Sequence, residues 1–236
     1  MKNIIPILIY GLAVLGFSCN KVDTYAAPEE TVTGAVIDSV TGEPIETEQP
    51  EGIRLQMLET SWSSNPIPWY FWVKPDGTFF NNKVFAGRYK ITPMDGPYFP
   101  IDGKEVDVKG TTKIEFTVVP FLNVNVLNGK LQAQDTTVLL NYEITRAKVA
   151  YKIKDARVFV STTPYVGNAS NDNILSSQNN NDLSGTSDAD ILSTTYSATV
   201  TRLKRGRTYF IRVGARTDDN VSKRYNYSKV YEIKIP

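Results

Sequence analysis

Between Thr31 and Ile235 the apolar residues recur at every second position in short runs, and Gly, Pro, Asn, Asp or Ser closes each run. A period of two sends alternate side chains to opposite faces of an extended chain, so these runs predict half-buried strands in place of amphipathic helices. Val32 and Val36 fall on one face before the turn Thr41-Gly42-Glu43-Pro44-Ile45, and residues 53–58, 69–73, 113–119, 122–126, 137–144 and 155–161 repeat the pattern. The closing segment 228–235 alternates to its last apolar residue. Lys74-Pro75-Asp76-Gly77 sets Pro beside Asp-Gly and predicts a hairpin turn. The expected fold class is all-β, two consecutive β-sandwich domains.

With 41% hydrophobic and 22% charged residues the composition is that of a globular protein, and 236 residues suffice for two domains. The 26 Lys and Arg against 25 Asp and Glu leave a net charge of +1, so no bulk field draws the chain to nucleic acid or anionic lipid. With 0 histidines there is no Ser-His-Asp triad, no Cys-His pair and no histidine-bound zinc. Neither a G-x-x-x-x-G-K-[ST] loop nor a strand-linked G-x-G-x-x-G turn occurs, which leaves nucleotide binding by those routes unsupported. No cofactor is expected. Carboxylate chemistry stays open, above all glycoside hydrolysis, which needs only two Asp or Glu at the right separation.

The 1 cysteine, Cys19, stands after a Met1-Lys2 start, an apolar stretch from Ile4 to Phe17, and the small residue Ser18. Lys2 supplies a positive n-region and the Ile/Leu stretch an h-region, too short for the ~20 residues of a dependable membrane helix. Cleavage before Cys19 makes residues 1–18 a lipoprotein signal peptide and 19–30 a lipid-anchored tether, so the mature chain is attached to a membrane and not embedded in it. Gly16 occupies the place where a lipobox favours Leu, and an ordinary secretory signal is the alternative. Either way the chain is exported, and a folded region without further cysteine relies on packing alone. The expected location is outside the cytosol, with cell surface and periplasmic face both open.

The residues Val32-x-Gly34-x-Val36-x-Asp38, Thr41-Gly42-Glu43-Pro44-Ile45, Asp76-Gly77-x-Phe79 and Gly87-x-Tyr89-x-Ile91 resemble the carboxypeptidase-regulatory-like domain, a transthyretin-like sandwich, over residues 31–119. A boundary falls at Pro120. Beyond it, over residues 120–236, Leu203-Lys204-Arg205-Gly206-Arg207-Thr208-Tyr209 and the strand that follows resemble the E–F corner and F strand of a fibronectin type III domain. In that register the Tyr209 hydroxyl bonds back to the backbone. Tyr209, Ile211, Val213 and Ala215 then face inward, while Phe210, Arg212, Gly214 and Arg216 face outward. Lys204-Arg205 and Asn141-Tyr142 depart from that family's usual Pro and Trp. Signal and domains together resemble the two-domain Bacteroidetes lipoproteins of the DUF3823 family, whose genes accompany SusC/SusD-type glycan-uptake pairs. The resemblance implies outer-membrane glycan acquisition and SusC/SusD-like partners, and supplies no mechanism.

All 3 tryptophans, Trp62, Trp69 and Trp72, lie in one stretch with Tyr70 and Phe71. Indole faces stack on the C–H faces of sugar rings, so Trp62, Trp69, Tyr70 and Trp72 are the candidate glycan-binding residues. Alternation competes with that reading: Trp69, Phe71 and Val73 share one face of a strand and Tyr70 and Trp72 the other, which assigns Trp69 and Phe71 to a core. The polar stretch 166–190, with Asp182, Asp188 and Asp190, reads as a mobile loop without EF-hand spacing, so no metal is expected. Arg202, Lys204, Arg205, Arg207, Arg212, Arg216, Lys223 and Arg224 read as solvated strand faces, with an acidic partner or glycan as the sharper option. The leading function is a non-catalytic lipoprotein that binds glycan or assists a SusC/SusD-like system. A structural protein making only protein contacts and a glycoside hydrolase are the alternatives.

Overall fold

The structure, a computed structural model, describes residues 26–129, 131–149, 151–219 and 222–236. Cys19 and the signal peptide expected over residues 1–18 lie outside these residues. The first unit holds β1 (Glu30–Asp38), β2 (Arg54–Glu59), β3 (Trp69–Trp72), β4 (Thr78–Val84), β5 (Gly87–Met94), β6 (Lys104–Val108) and β7 (Thr111–Val118). One sheet runs β4-β1-β7, with β1 antiparallel to β4 and parallel to β7; the other runs β3-β2-β5-β6, antiparallel throughout. Their inner faces meet through Val32, Val36, Phe79 and Phe116 on one side and Leu55, Met57, Tyr89 and Ile91 on the other. Burial of each such side chain stabilises the fold by about 1.5–3 kcal/mol. Gly34 is required at the centre of β1, because a Cβ there would land on the carbonyl of Ile114 and 2.8 Å from the Phe79 ring.

The turn at Lys74–Gly77 forms, with the Gly77 N–H donating to the Lys74 carbonyl at 2.9 Å and a φ of 75° at Gly77. It is not a hairpin, because β3 and β4 enter different sheets. The Gly77 carbonyl accepts the Val36 N–H at 3.0 Å, which feeds the chain onto β1 instead of back onto β3. Turn chemistry is local; the choice of partner strand is made by which sheet has a face to complete.

The second unit holds β8 (Asn123–Val126), β9 (Ala133–Gln134), β10 (Thr137–Thr145), β11 (Ile153–Ser161), β12 (Asn180–Asp182), β13 (Tyr196–Val200), β14 (Thr208–Thr217), β15 (Asn226–Tyr227) and β16 (Tyr231–Lys234). Sheet β13-β10-β8 packs on sheet β12-β11-β14-β15, with β16 beside β14, around Leu140, Tyr142, Val158, Val160, Ile211 and Val213. The Tyr209 hydroxyl accepts the Lys204 N–H at 3.1 Å, the expected corner. The closing strand is interrupted between β15 and β16. There Ser228 bonds β14 with its side chain, its Oγ accepting the Val213 N–H at 3.0 Å.

The stretch 166–190 is folded, contrary to the mobile loop its composition predicts. It contains α1 (Asn173–Ser176), a 3-10 turn at Ser177–Asn179, β12 paired with β11, and the first residues of α2 (Asp188–Ser193). Its polar side chains explain why: Asp172 Oδ1 accepts the N–H groups of Ile174 and Leu175 at 3.0 Å each, and Asn179 Oδ1 and Gln178 Oε1 accept those of Thr199 and Thr201. The three aspartates are likewise engaged: Asp182 with Ser184, Asp188 with Arg146 at 2.9 Å, and Asp190 with Ser187. The Ser184 hydroxyl and N–H hold the Asp182 carboxyl below its ordinary value.

The two units meet across a polar seam. Arg212 projects from the outward side of β14, as the alternation requires, yet it is only 1% exposed. Its Nη1 donates to the Thr47 carbonyl at 2.7 Å, and its guanidinium lies 3.6 Å from the centroid of the Tyr227 ring. Tyr227 in turn donates its hydroxyl to Glu48 Oε1 at 2.8 Å, and Glu48 Oε2 accepts the Ala169 N–H at 2.8 Å. Asn226 bridges both units, accepting from Leu122 N and donating to the Pro97 carbonyl. Asn123 donates to Asp38 Oδ2 at 2.5 Å. The solvated strand face expected for Arg212 is thus an interface, because a neighbouring domain covers it.

Candidate functional site

The candidate tryptophans divide between two surfaces. β2 ends at Glu59, and the chain beyond it is pinned to β5: the Thr60 N–H donates to the Arg88 carbonyl at 2.8 Å, and the Arg88 N–H donates to Ser61 Oγ at 2.6 Å. Trp62 follows at once and projects into solvent, 86% exposed. Pairing of β3 with β2 sets Trp69 against Met57 in register, and Trp69 stacks on Phe71 with centroids 5.8 Å apart. The Phe85 carbonyl accepts the Tyr89 hydroxyl at 3.1 Å, which fixes the turn between β4 and β5. Trp62, Trp69, Phe85, Ala86 and Tyr89 then line one cleft of about 760 Å³, with Ala26, Ala27, Glu29, Glu30 and Glu59.

Two of the three carboxylates of this cleft also serve the backbone. Glu59 Oε1 accepts the Ser61 N–H at 2.8 Å, and Glu30 Oε2 accepts the Gly110 N–H. Burial beside Glu59 pushes the Tyr89 hydroxyl above its ordinary pKa. The lining therefore offers aromatic faces and hydrogen-bond acceptors.

Tyr70 and Trp72 lie on the opposite, outer face of β3, as alternation predicts, and are 41% and 37% exposed. The Arg54 guanidinium sits 4.6 Å from the Tyr70 centroid and 5.6 Å from that of Trp72, and is anchored to Asp95 at 2.5 Å. Gln56 Nε2 donates to the Tyr70 hydroxyl at 2.9 Å, and Arg224 lies 6.0 Å from the Trp72 centroid. The ring faces here are already engaged by guanidinium groups, which leaves less π surface free for a sugar. Trp69 belongs partly to the core, against which it packs, and partly to the cleft. Phe85, Tyr89 and Glu59 carry no sequence signal as cleft residues, since they converge only once β2 pairs with β5 and the turn between β4 and β5 closes. Among the described residues no group of three or more His, Cys, Asp or Glu is placed to hold a metal ion, and no helix is long and apolar enough to cross a membrane.

The family model described as "Protein of unknown function (DUF3823) N-terminal domain" matches residues 30–119, and that described as "Domain of unknown function (DUF3823_C)" matches residues 124–232. The chain belongs to the DUF3823 family. A DUF3823 protein from Bacteroides uniformis of known crystal structure is 30% identical, with a TM-score of 0.78 over 89% of this chain and 100% of that one. A second B. uniformis structure, described as a candidate carbohydrate-binding protein, is 24% identical with a TM-score of 0.75, covering 88% of this chain and 99% of that one. A DUF3823 protein from Parabacteroides merdae shares the fold at 22% identity and a TM-score of 0.69, covering 89% and 100%. No curated protein matches the chain. This DUF3823 chain is accordingly a two-domain all-β protein, and its cleft is borne on the N-terminal family domain.

Proposed function

We propose that this protein is a non-catalytic, lipid-anchored outer-membrane protein that binds glycan in the cleft between Trp62, Trp69 and Phe85, as an accessory to a SusC/SusD-like uptake system. One observation carries the reading: an 86% exposed tryptophan at the mouth of a cleft of about 760 Å³ with aromatic walls. An indole left in water is unfavourable unless a partner covers it, and a pyranose ring has the flat C–H face to do so. The fold-mate from B. uniformis described as a candidate carbohydrate-binding protein supports the same reading. Glu30 and Glu59 hold backbone N–H groups of the surrounding loops, a structural use that favours binding over hydrolysis.

Affinity electrophoresis of the full chain through polysaccharide gels tests the proposal. Trp62→Ala is expected to abolish retardation while Trp72→Ala preserves it; undiminished binding by Trp62→Ala would refute the cleft. Attachment is tested separately by palmitate labelling, which Cys19→Ala should remove.

A further inference from the structure

Resting on the glycan reading of this cleft, we infer that its ligand is an uncharged glycan and that the site rejects uronic-acid and sulfated chains. The inference follows from the donor and acceptor inventory of the lining. Glu29, Glu30 and Glu59 supply three carboxylates, and the remaining lining residues are Ala26, Ala27, Ala86, Trp62, Trp69, Phe85 and Tyr89. None of these ten is basic. Lys83 and Arg88 lie on the strands that flank the cleft, yet neither lines it, and Arg88 turns its guanidinium to Asp107 Oδ1 at 3.1 Å. The Tyr89 hydroxyl already donates to the Phe85 carbonyl, so the side-chain donors left among these lining residues are the neutral indole N–H groups of Trp62 and Trp69.

Such a lining recognises hydroxyl-rich rings, whose O–H groups donate to carboxylates while their C–H faces lie on the indoles. A carboxylate or sulfate on the sugar meets like charge, finds no cation among the described lining residues to neutralise it, and loses water in the process. The contrast with the outer face of β3 is sharp, since there Arg54 and Arg224 stand beside Tyr70 and Trp72. A charged glycan bound by this protein would therefore be expected on that face and not in the cleft.

The test compares a panel of neutral polysaccharides with the same polymers oxidised at C6 to uronates, a change that adds charge and leaves the ring intact. Isothermal titration with the full chain in detergent is expected to show neutral polymers binding at least about tenfold tighter than their oxidised forms, a gap that closes as salt screens the carboxylates. Glu29→Gln and Glu59→Gln should each narrow the gap by raising affinity for the oxidised polymer. Equal or tighter binding of oxidised polymers, abolished by Trp62→Ala, would overturn the inference and leave the glycan site standing. Binding of neither form would overturn both.

Discussion

Glu48 shows how much of this protein's behaviour rests on single side chains. Burial raises the Glu48 carboxyl above its ordinary pKa, against the lowering effects of the Ala169 N–H, the Tyr227 hydroxyl and Arg212; burial raises Glu46 in the same way. An acid whose pKa is raised in the folded state favours folding fully below its unfolded value, and that contribution is lost as pH rises through the folded value. In Glu48→Gln the group no longer titrates. The stability of wild type relative to Glu48→Gln, measured by urea denaturation, is therefore expected to increase as the pH falls from 7 toward 4.5; a difference independent of pH would contradict it. At the same scale, Trp62→Ala should leave the unfolding free energy within the scatter of exposed substitutions, roughly 0.5 kcal/mol, while removing the proposed glycan binding. Trp62 was legible in the sequence as a candidate because tryptophans are few and clustered. Glu48 was not, since nothing in Glu46-Thr47-Glu48 signals that a second domain will close over it.

Among elements, the sequence announced strands well and their partners poorly. Alternation on β14 placed Tyr209, Ile211, Val213 and Ala215 in the core, where they are found. The Tyr209 hydroxyl bond to Lys204 should contribute about 1 kcal/mol, so Tyr209→Phe is expected to lower stability by that amount in denaturant titration. β1 is more demanding. Gly34→Ala would drive a methyl group into the Ile114 carbonyl and separate β1 from β7, and a loss of at least about 3 kcal/mol is expected, seen as a lower denaturation midpoint. Where local signals misled, a longer-range contact decided. Pro-Asp-Gly formed its turn, but the Val36 N–H captured the Gly77 carbonyl. The Asn- and Ser-rich stretch 166–190 read as mobile because composition reports polarity, whereas its order comes from caps and side-chain bonds to β11 and β13 that no periodicity reveals.

The whole molecule behaves as its seam dictates. Arg212, Tyr227, Glu48, Asn226 and Asn123 tie the two sandwiches through buried or partly buried polar contacts, each of which leaves an unmet partner if the other domain withdraws. A single unfolding transition is expected in calorimetry for wild type. Arg212→Ala, which leaves the Thr47 carbonyl and the Tyr227 face without their cation, is expected to cost roughly 3 kcal/mol and to split the transition in two; one sharp transition in that variant would show that the domains are coupled elsewhere. The division into two sandwiches could be read from the chain, whereas the apposition of their faces could not, because Arg212 has the outward position of a solvated residue.

The parallel ladder of β1 with β7 also constrains how the chain comes into being. Thr31 pairs with Thr111 and Asp38 with Val118, so the first sheet has no complete form until the last strand of its domain has been delivered. Loop closure over that span is slow relative to local turns. For the outer-membrane protein proposed above, a polypeptide threaded through an export pore from its N-terminus would pass most of its first domain across while that domain is still unable to close, and the aromatic cleft, whose wall includes Glu30 at the start of β1, would mature on the far side of the membrane.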